Sequence, residues 1–165
     1  MADEAGQVAQ EENRLAGIGG WLILLAFGVI VSPVASLWAL ITVAVGAFGG
    51  GRWAALAQPG GVAYHPMWGP TLLFELVANL AMTALTLLVA VLFFRKSTRL
   101  PKLFIGVLLA ALVVRIVDVL LASQIPALEE PTALSVLGIV RAFLICLIWV
   151  PYFRVSKRVK ATFVH

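Results

Sequence analysis

Residues 71–94 read TLLFELVANLAMTALTLLVAVLFF, and the basic pair Arg95-Lys96 follows them directly. A helix crosses a bilayer with about 20 predominantly apolar residues, and this stretch exceeds that length with Glu75 as its only charged residue. Pro70, immediately before the stretch, suits the first turn of a helix because the N–H that proline lacks would be unbonded there. The stretch therefore predicts a transmembrane helix.

Three more apolar runs accompany this stretch, at about residues 20–47, 103–121 and 132–153. Ser32-Pro33 interrupts the first run near its middle, where a proline removes one backbone hydrogen bond and can kink a helix. A glycine-rich segment after the first run predicts the one long connection of the chain. We therefore expect an all-α integral membrane protein with four transmembrane helices in two helical hairpins.

These helices form one predicted domain, residues 15–153, between two polar flanks. Residues 1–14 make an acidic N-terminal segment that is unlike the positively charged start of a cleavable signal peptide. Residues 154–165 make a basic tail. The first apolar run is accordingly expected to stay in the protein as its first transmembrane helix.

The composition of the 165 residues excludes a water-soluble fold. Hydrophobic residues make up 62% of the chain and charged residues 12%, whereas soluble domains carry about a quarter charged residues. The net charge of +4 does not indicate nucleic-acid binding, because the basic residues stand beside apolar runs. The lipid bilayer is the expected partner, and Cys146, the only cysteine, leaves no disulfide within one chain.

The distribution of Lys and Arg predicts the orientation of the chain, since positively charged flanks are retained in the cytoplasm. On one side of the membrane, Arg52 alone flanks the predicted helices. The basic residues that flank them on the other side are Arg14, Arg95, Lys96, Arg99, Lys102, Arg154, Lys157, Arg158 and Lys160. We therefore expect both termini in the cytoplasm.

Ionisable residues also fall inside the predicted helices, namely Glu75, Arg115, Asp118 and Arg141. At about 1.5 Å per residue they all lie in the outer half of the membrane, and Asn79 lies one turn below Glu75. We name these residues, with Asn79, the polar cluster. Each charge at a helix centre costs about 3 kcal/mol, so we expect the acids to pair with the arginines. Arg115 and Asp118 can pair along one helix face, whereas Glu75 and Arg141 need partners on other helices.

Two interpretations of the polar cluster remain open. In the first, the charges form a clasp that fixes the register of the helices. In the second, they form a buried or water-accessible site for a proton, an ion or an anionic solute, because intramembrane charges often mark such paths. Acids locked to arginines without a cavity favour the clasp, and a polar pocket open to the outside favours the site.

No pattern in the sequence predicts catalysis. His65 and His165 are too isolated to supply the ligands of a metal site. No Ser, Cys or His stands at a spacing that indicates a nucleophile with its base. We therefore expect no enzymatic activity, no cofactor and no metal.

The two ends of the apolar region resemble a known family. The residues that carry the resemblance are Gly19, Gly20 and Trp21 before the first helix, and Trp149, Pro151, Tyr152, Phe153, Ser156, Lys157 and Arg158 at the end of the last. They are similar to the bacterial inner-membrane family catalogued as domain of unknown function 2569, over essentially the whole chain from about Leu15. The resemblance implies a small four-helix protein of the bacterial inner membrane and carries no activity. These residues, which we name the terminal motif, lie at the expected cytoplasmic edge and suggest a shared structural or docking surface.

Two functions fit these features. The first is a non-enzymatic accessory or structural component that packs against a larger membrane-protein partner. The second is a small-solute or ion transporter, a channel-like component or a ligand sensor, whose working residues are the polar cluster. Because so few helices make a narrow pathway, the second function predicts a homo-oligomer, most simply with two-fold symmetry.

Overall fold

The computed structural model of the chain describes residues 20–128 and 133–163. Within these ranges the chain is helical and contains no strand. The helices are α1 (Trp21–Phe48), α2 (Arg52–Ala57), α3 (Trp68–Phe94), α4 (Leu100–Ala122), α5 (Ala133–Val155) and α6 (Lys157–Thr162), with a 3-10 turn at Gly49–Gly51. Of these, α1, α3, α4 and α5 are the four that are long and apolar enough to cross a membrane. The prediction of an all-α, multi-pass membrane protein with four transmembrane helices is confirmed.

Several predicted features fall outside the described residues. They are the polar segment 1–14, residues 15–19 with Gly19 of the terminal motif, residue 132 at the start of the fourth run, and residues 164–165 at the end of the tail. The side of the membrane on which each terminus lies stays a prediction.

The long helices pack in the order in which they follow one another along the chain. The most extensive contacts join α1 to α3 and α4 to α5, which form the two expected helical hairpins. α3 packs against α4 and connects the hairpins. Because α1 and α4 make little contact with each other, they flank α3 and leave a groove along it.

Two of the long helices begin earlier than the sequence predicted. α3 begins at Trp68 rather than at residue 71, and α4 begins at Leu100 rather than at residue 103. Each contains a proline in its first turn, Pro70 in α3 and Pro101 in α4. The first turn of a helix tolerates proline because its N–H groups have no partner within the helix. The prolines therefore lie inside these helices and not before them.

The segments that contain Pro33 and the glycines also differ from expectation. α1 continues as one helix through Pro33 to Phe48, since proline removes a single backbone hydrogen bond there. The segment after α1 contains α2, so the predicted long connection is partly helical. Gly50 and Gly51 precede α2 with φ of 62° and 74°, a left-handed conformation that glycine adopts without strain.

The best-packed part of the bundle lies where α1 and α4 begin and where α3 and α5 end. We name its buried side chains the base cluster. They are Leu22, Leu25, Val29, Val89, Phe93, Leu100, Val107, Phe153, Val159 and Phe163. Most other large apolar side chains of the long helices are exposed, as expected of helices whose outer faces contact lipid.

Candidate functional site

A cavity of about 550 Å³ lies between α1, α3 and α4, in the half of the bundle away from the base cluster. Its walls come from residues 35–43 of α1, residues 74–82 of α3 and residues 111–118 of α4. Trp38, Thr42 and Arg115 are exposed lining residues, so the cavity opens at the surface of the bundle. No described residue of α5 lines it.

Small side chains explain why the helices leave space here. Ala35 and Ala39 on α1, Ala78 on α3 and Ala111 on α4 all line the cavity. At the base cluster the same helices carry Leu, Val and Phe, which fill the space between the backbones. Large side chains therefore fill the bundle at one end, and small side chains leave space between the helices at the other.

Two acidic side chains meet in this cavity. The carboxyl groups of Glu75 on α3 and Asp118 on α4 lie within hydrogen-bonding reach of each other, and both residues are partly buried. An ionised carboxylate can only accept hydrogen bonds, so a hydrogen bond between two carboxyl groups requires a proton on one of them. Asp118 Oδ1 is buried and has no hydrogen-bond partner among the described residues. The acid pair can therefore hold a shared proton, and without that proton a buried carboxylate oxygen of Asp118 has no partner in the described part of the chain.

Arg115 lies on α4 next to this acid pair. Its guanidinium is close enough to attract the Glu75 carboxylate, although Arg115 itself is exposed. The expectation that the acids pair with the arginines is therefore wrong for the central contact, which joins acid to acid. The reason is that Glu75 and Asp118 face each other between α3 and α4, whereas Arg115 lies at the mouth of the cavity.

Most of the polar cluster shares the cavity, but Arg141 does not. Glu75, Asn79, Arg115 and Asp118 all line it. Arg141 is exposed on α5, a helix that contacts chiefly α4. Helical rise indicates how deep a residue lies but not the direction in which its side chain points, and depth alone placed Arg141 in the cluster.

Hydroxyl groups continue the polar surface of α3 beyond the acid pair. Asn79 Nδ2 donates to the Glu75 carbonyl at 2.8 Å, and Thr83 Oγ1 donates to the Asn79 carbonyl at 2.8 Å. Thr86 follows on the same face, and its hydroxyl forms a hydrogen bond with the Ser36 hydroxyl of α1 at 3.0 Å. Sequence reasoning missed Ser36, Thr83 and Thr86, although the spacing of polar residues along α3 from Glu75 indicates one helix face.

The aromatic residues of the terminal motif belong to the base cluster and its surroundings. Phe153 stacks on Phe104 of α4 with ring centroids 4.6 Å apart, and Trp149 contacts the same ring edge-on at 6.5 Å. Tyr152 is half-buried and packs against the cluster, whereas Pro151 is exposed within α5. These aromatic side chains therefore connect α5 to α4.

The basic end of the chain forms part of the packed structure and is not a simple tail. The Ser156 side chain accepts a hydrogen bond from the Val159 N–H at 3.3 Å and caps the start of α6. Val159 and Phe163 are buried in the base cluster, and the Phe163 ring contacts Phe93 at 5.7 Å. Lys157 is exposed and Arg158 is half-buried, so α6 has one apolar and one charged face.

The other end of the terminal motif starts α1. Gly20 has φ of 57° and ψ of −131°, a conformation that favours glycine, and the helix follows at once. Trp21 is 62% exposed and so lies on the outer surface of the bundle. Among residues 20–128 and 133–163, no three His, Cys, Asp or Glu side chains come together as metal ligands.

The sequence profile of the family described as "Protein of unknown function (DUF2569)" matches residues 15–164. This match spans all of the described helices and confirms the resemblance based on the terminal motif. No curated protein and no solved structure matches the chain. The cavity and the surfaces around it are therefore the features that indicate function.

Proposed function

The chain belongs to the DUF2569 family, a family of unknown function, and on that premise we propose that it binds a small polar solute or ion in its cavity, as a transporter component or a sensor. The proposed activity is binding or transport, without catalysis. It rests on one observation, the convergence of Glu75, Asn79, Arg115 and Asp118 on a single cavity within the transmembrane helices.

The contact between two acids favours a binding site over a clasp. A clasp is stabilised by attraction between opposite charges, and an acid beside an acid contributes none. A clasp also needs no space, whereas the cavity of about 550 Å³ falls within the range of ligand pockets. Desolvated acids next to a cavity are typical of sites where the ligand supplies the missing charge.

The charges of the cavity indicate the class of ligand. Glu75 and Asp118 offer carboxylate oxygens for a cation, and Arg115 at the mouth offers a guanidinium for a carboxylate. This combination suits a small cation or a zwitterion that carries an amine and an acid. A cation that binds between the carboxylates takes the position of the shared proton, which leaves to water. Binding is then coupled to the release of that proton.

We further propose that this protein lies in a bacterial inner membrane with both termini in the cytoplasm. The basic residues between α3 and α4 and after α5 support this orientation through the positive-inside rule. In that orientation the base cluster lies on the cytoplasmic side and the cavity opens in the outer half of the membrane.

Native mass spectrometry tests the proposed function on the full chain, taken from its own membrane in lipid particles. We expect a reproducible bound mass on the wild-type protein. The double variant Glu75→Gln with Asp118→Asn should lose it, because amides keep the shape of the site but remove its negative charge. Arg154→Gln, which removes an exposed charge outside the cavity, is the control and should keep it. A wild-type protein with no bound mass, or a double variant that keeps it, contradicts the proposal.

A second function, an accessory component that packs against a larger partner, is supported by α5. It is the least buried of the four transmembrane helices, and its outer face is almost wholly apolar. Unusually exposed apolar surface marks interaction sites, although lipid also covers such faces. A foreign protein that copurifies in stoichiometric amount in the same particles would establish this function.

A further inference from the structure

Arg141 lies in the middle of the exposed face of α5. It stands about 12 Å from the start of the helix at Ala133, which is well inside the apolar span. Among the described residues Arg141 has no hydrogen bond or ion pair. An arginine at the centre of a transmembrane helix costs about 3 kcal/mol when lipid surrounds it. A partner outside the single chain would remove this cost.

The cavity lacks a wall on the side where it opens. α1, α3 and α4 line the cavity on three sides. α1 and α4 make little contact with each other, so the side opposite α3 stays open. Trp38 and Thr42 on one rim and Arg115 on the other are exposed. A further helix that lies in this groove would complete a four-helix arrangement around the acid pair.

Arg141 and the acid pair of the cavity are opposite in charge and lie at similar depths. Glu75 and Asp118 carry two carboxyl groups, and Arg115 is the only basic residue that lines the cavity among the described residues. Once the shared proton is released, both carboxylates are charged, and one more guanidinium beside Arg115 would balance them. Glu75 lies about 10 Å from the start of α3, so Arg141 and the acid pair share nearly the same depth. Two copies with the same orientation in one membrane are related by a rotation about the membrane normal, so each residue keeps its depth in both copies.

We infer that two copies of this chain form a two-fold dimer, in which α5 of each copy lies in the open groove of the other and Arg141 completes its binding site. Two-fold symmetry makes this contact reciprocal, so both exposed arginines and both open cavities are covered at once. The Arg141 guanidinium then donates hydrogen bonds to the acid pair, including the unpartnered Asp118 Oδ1.

Disulfide cross-linking between differently labelled copies tests the arrangement. Cys146→Ala removes the only native thiol, and one copy then carries Thr42→Cys while the other carries Leu137→Cys. Both positions are exposed, and each lies within about 10 Å of the cavity end of its helix. We expect a cross-linked dimer when the two are coexpressed and none when either is expressed alone. Thr42→Cys with Ile148→Cys is the matched control, because Ile148 is exposed on the same helix at a different depth.

A charge exchange tests the role of Arg141 itself. Arg141→Glu should lower the dimer-to-monomer ratio in native mass spectra at least tenfold, whereas Arg141→Lys should largely preserve it. Adding Asp118→Arg to the Arg141→Glu chain should restore the dimer, because the opposite charges then meet across the interface. Arg154→Glu is the control for an exposed arginine outside the proposed contact.

The inference rests on the cavity of the proposed function but can fail separately from it. A wild-type protein that is monomeric in lipid particles and still carries a bound mass overturns the dimer and leaves the binding function intact. A dimer that cross-links through Ile148→Cys and not through Leu137→Cys also overturns it. Loss of the bound mass in Arg141→Leu, together with loss of the dimer, supports it.

Discussion

Ser36 of α1 and Thr86 of α3 form a hydrogen bond between their hydroxyl groups at 3.0 Å, at the boundary between the base cluster and the cavity. Each hydroxyl carries one proton and can also donate it within its own helix, Ser36 to the Pro33 carbonyl and Thr86 to the carbonyls of Met82 and Thr83. The hydroxyl that donates between the helices therefore gives up its bond within the helix, and the other keeps it. Below this contact the bundle is filled with large apolar side chains, and above it alanines line the cavity. The pair therefore holds the first hairpin together where the packing changes.

A double-mutant cycle measures this contact. We expect Ser36→Ala and Thr86→Val to be coupled by about 0.6 kcal/mol of unfolding free energy, the typical value for a hydrogen bond between transmembrane helices. Reversible unfolding in mixed micelles provides the measurement. Thr42→Val is the control, since the Thr42 hydroxyl donates only to the Trp38 carbonyl of its own helix. Strict additivity of the Ser36 and Thr86 changes would contradict the contact.

The base cluster should dominate the stability of the protein. Phe153 is 3% exposed and stacks on Phe104, so Phe153→Ala leaves a cavity in the best-packed region. We expect a loss of about 3 kcal/mol in unfolding free energy. Phe143→Ala on the same helix is the matched control, because Phe143 is 53% exposed. Equal effects of the two changes would show that the base cluster does not hold the bundle.

The cap of α6 gives a local prediction. Ser156→Ala removes the acceptor of the Val159 N–H, which should destabilise α6 by about 1 kcal/mol. Hydrogen exchange of the Val159 amide should then rise about fivefold while exchange in α3 stays unchanged. Ser156→Asp retains an acceptor and should restore protection. Protection that survives in Ser156→Ala would mean that burial of Val159 and Phe163 alone orders α6.

Sequence patterns predicted the membrane class, the number of long helices and the pairing of those helices, because each depends on the length of an apolar run or on chain order. They did not predict the direction in which each side chain points from its helix. A helix that is apolar on every face carries little periodic signal, so Arg141 could not be separated from the residues that share its depth. The burial of Val159 in α6 and of Phe163 directly after it was missed for a related reason, since the basic residues around them indicated an exposed tail.

The orientation of the chain can be measured directly. In the Cys146→Ala background, Ala63→Cys between α2 and α3 and Thr98→Cys between α3 and α4 each place one thiol at an exposed position. A maleimide that cannot cross membranes should label Ala63→Cys in intact cells and label Thr98→Cys only after the cells are opened. The reverse pattern would place both termini outside and overturn the positive-inside argument.

The acid pair of Glu75 and Asp118 makes the sharpest prediction about the cavity. Glu75→Leu removes one partner and leaves the Asp118 carboxyl unpaired in an apolar setting, which should cost about 1–3 kcal/mol of unfolding free energy. Glu75→Gln should cost less, because its amide can still donate to Asp118.

The double variant Glu75→Leu with Asp118→Leu shows whether the two acids contact each other or contribute independently to stability. If the two carboxyl groups touch, this variant should be more stable than the sum of the single changes predicts, because neither polar group is then left without its partner. Reversible unfolding in mixed micelles provides the comparison, and Glu75→Leu with Arg115→Leu is the matched cycle. Since Arg115 is exposed, its coupling to Glu75 should be the smaller of the two. A Glu75–Arg115 coupling that exceeds the Glu75–Asp118 coupling would restore the acid–arginine pairing and, with it, the clasp.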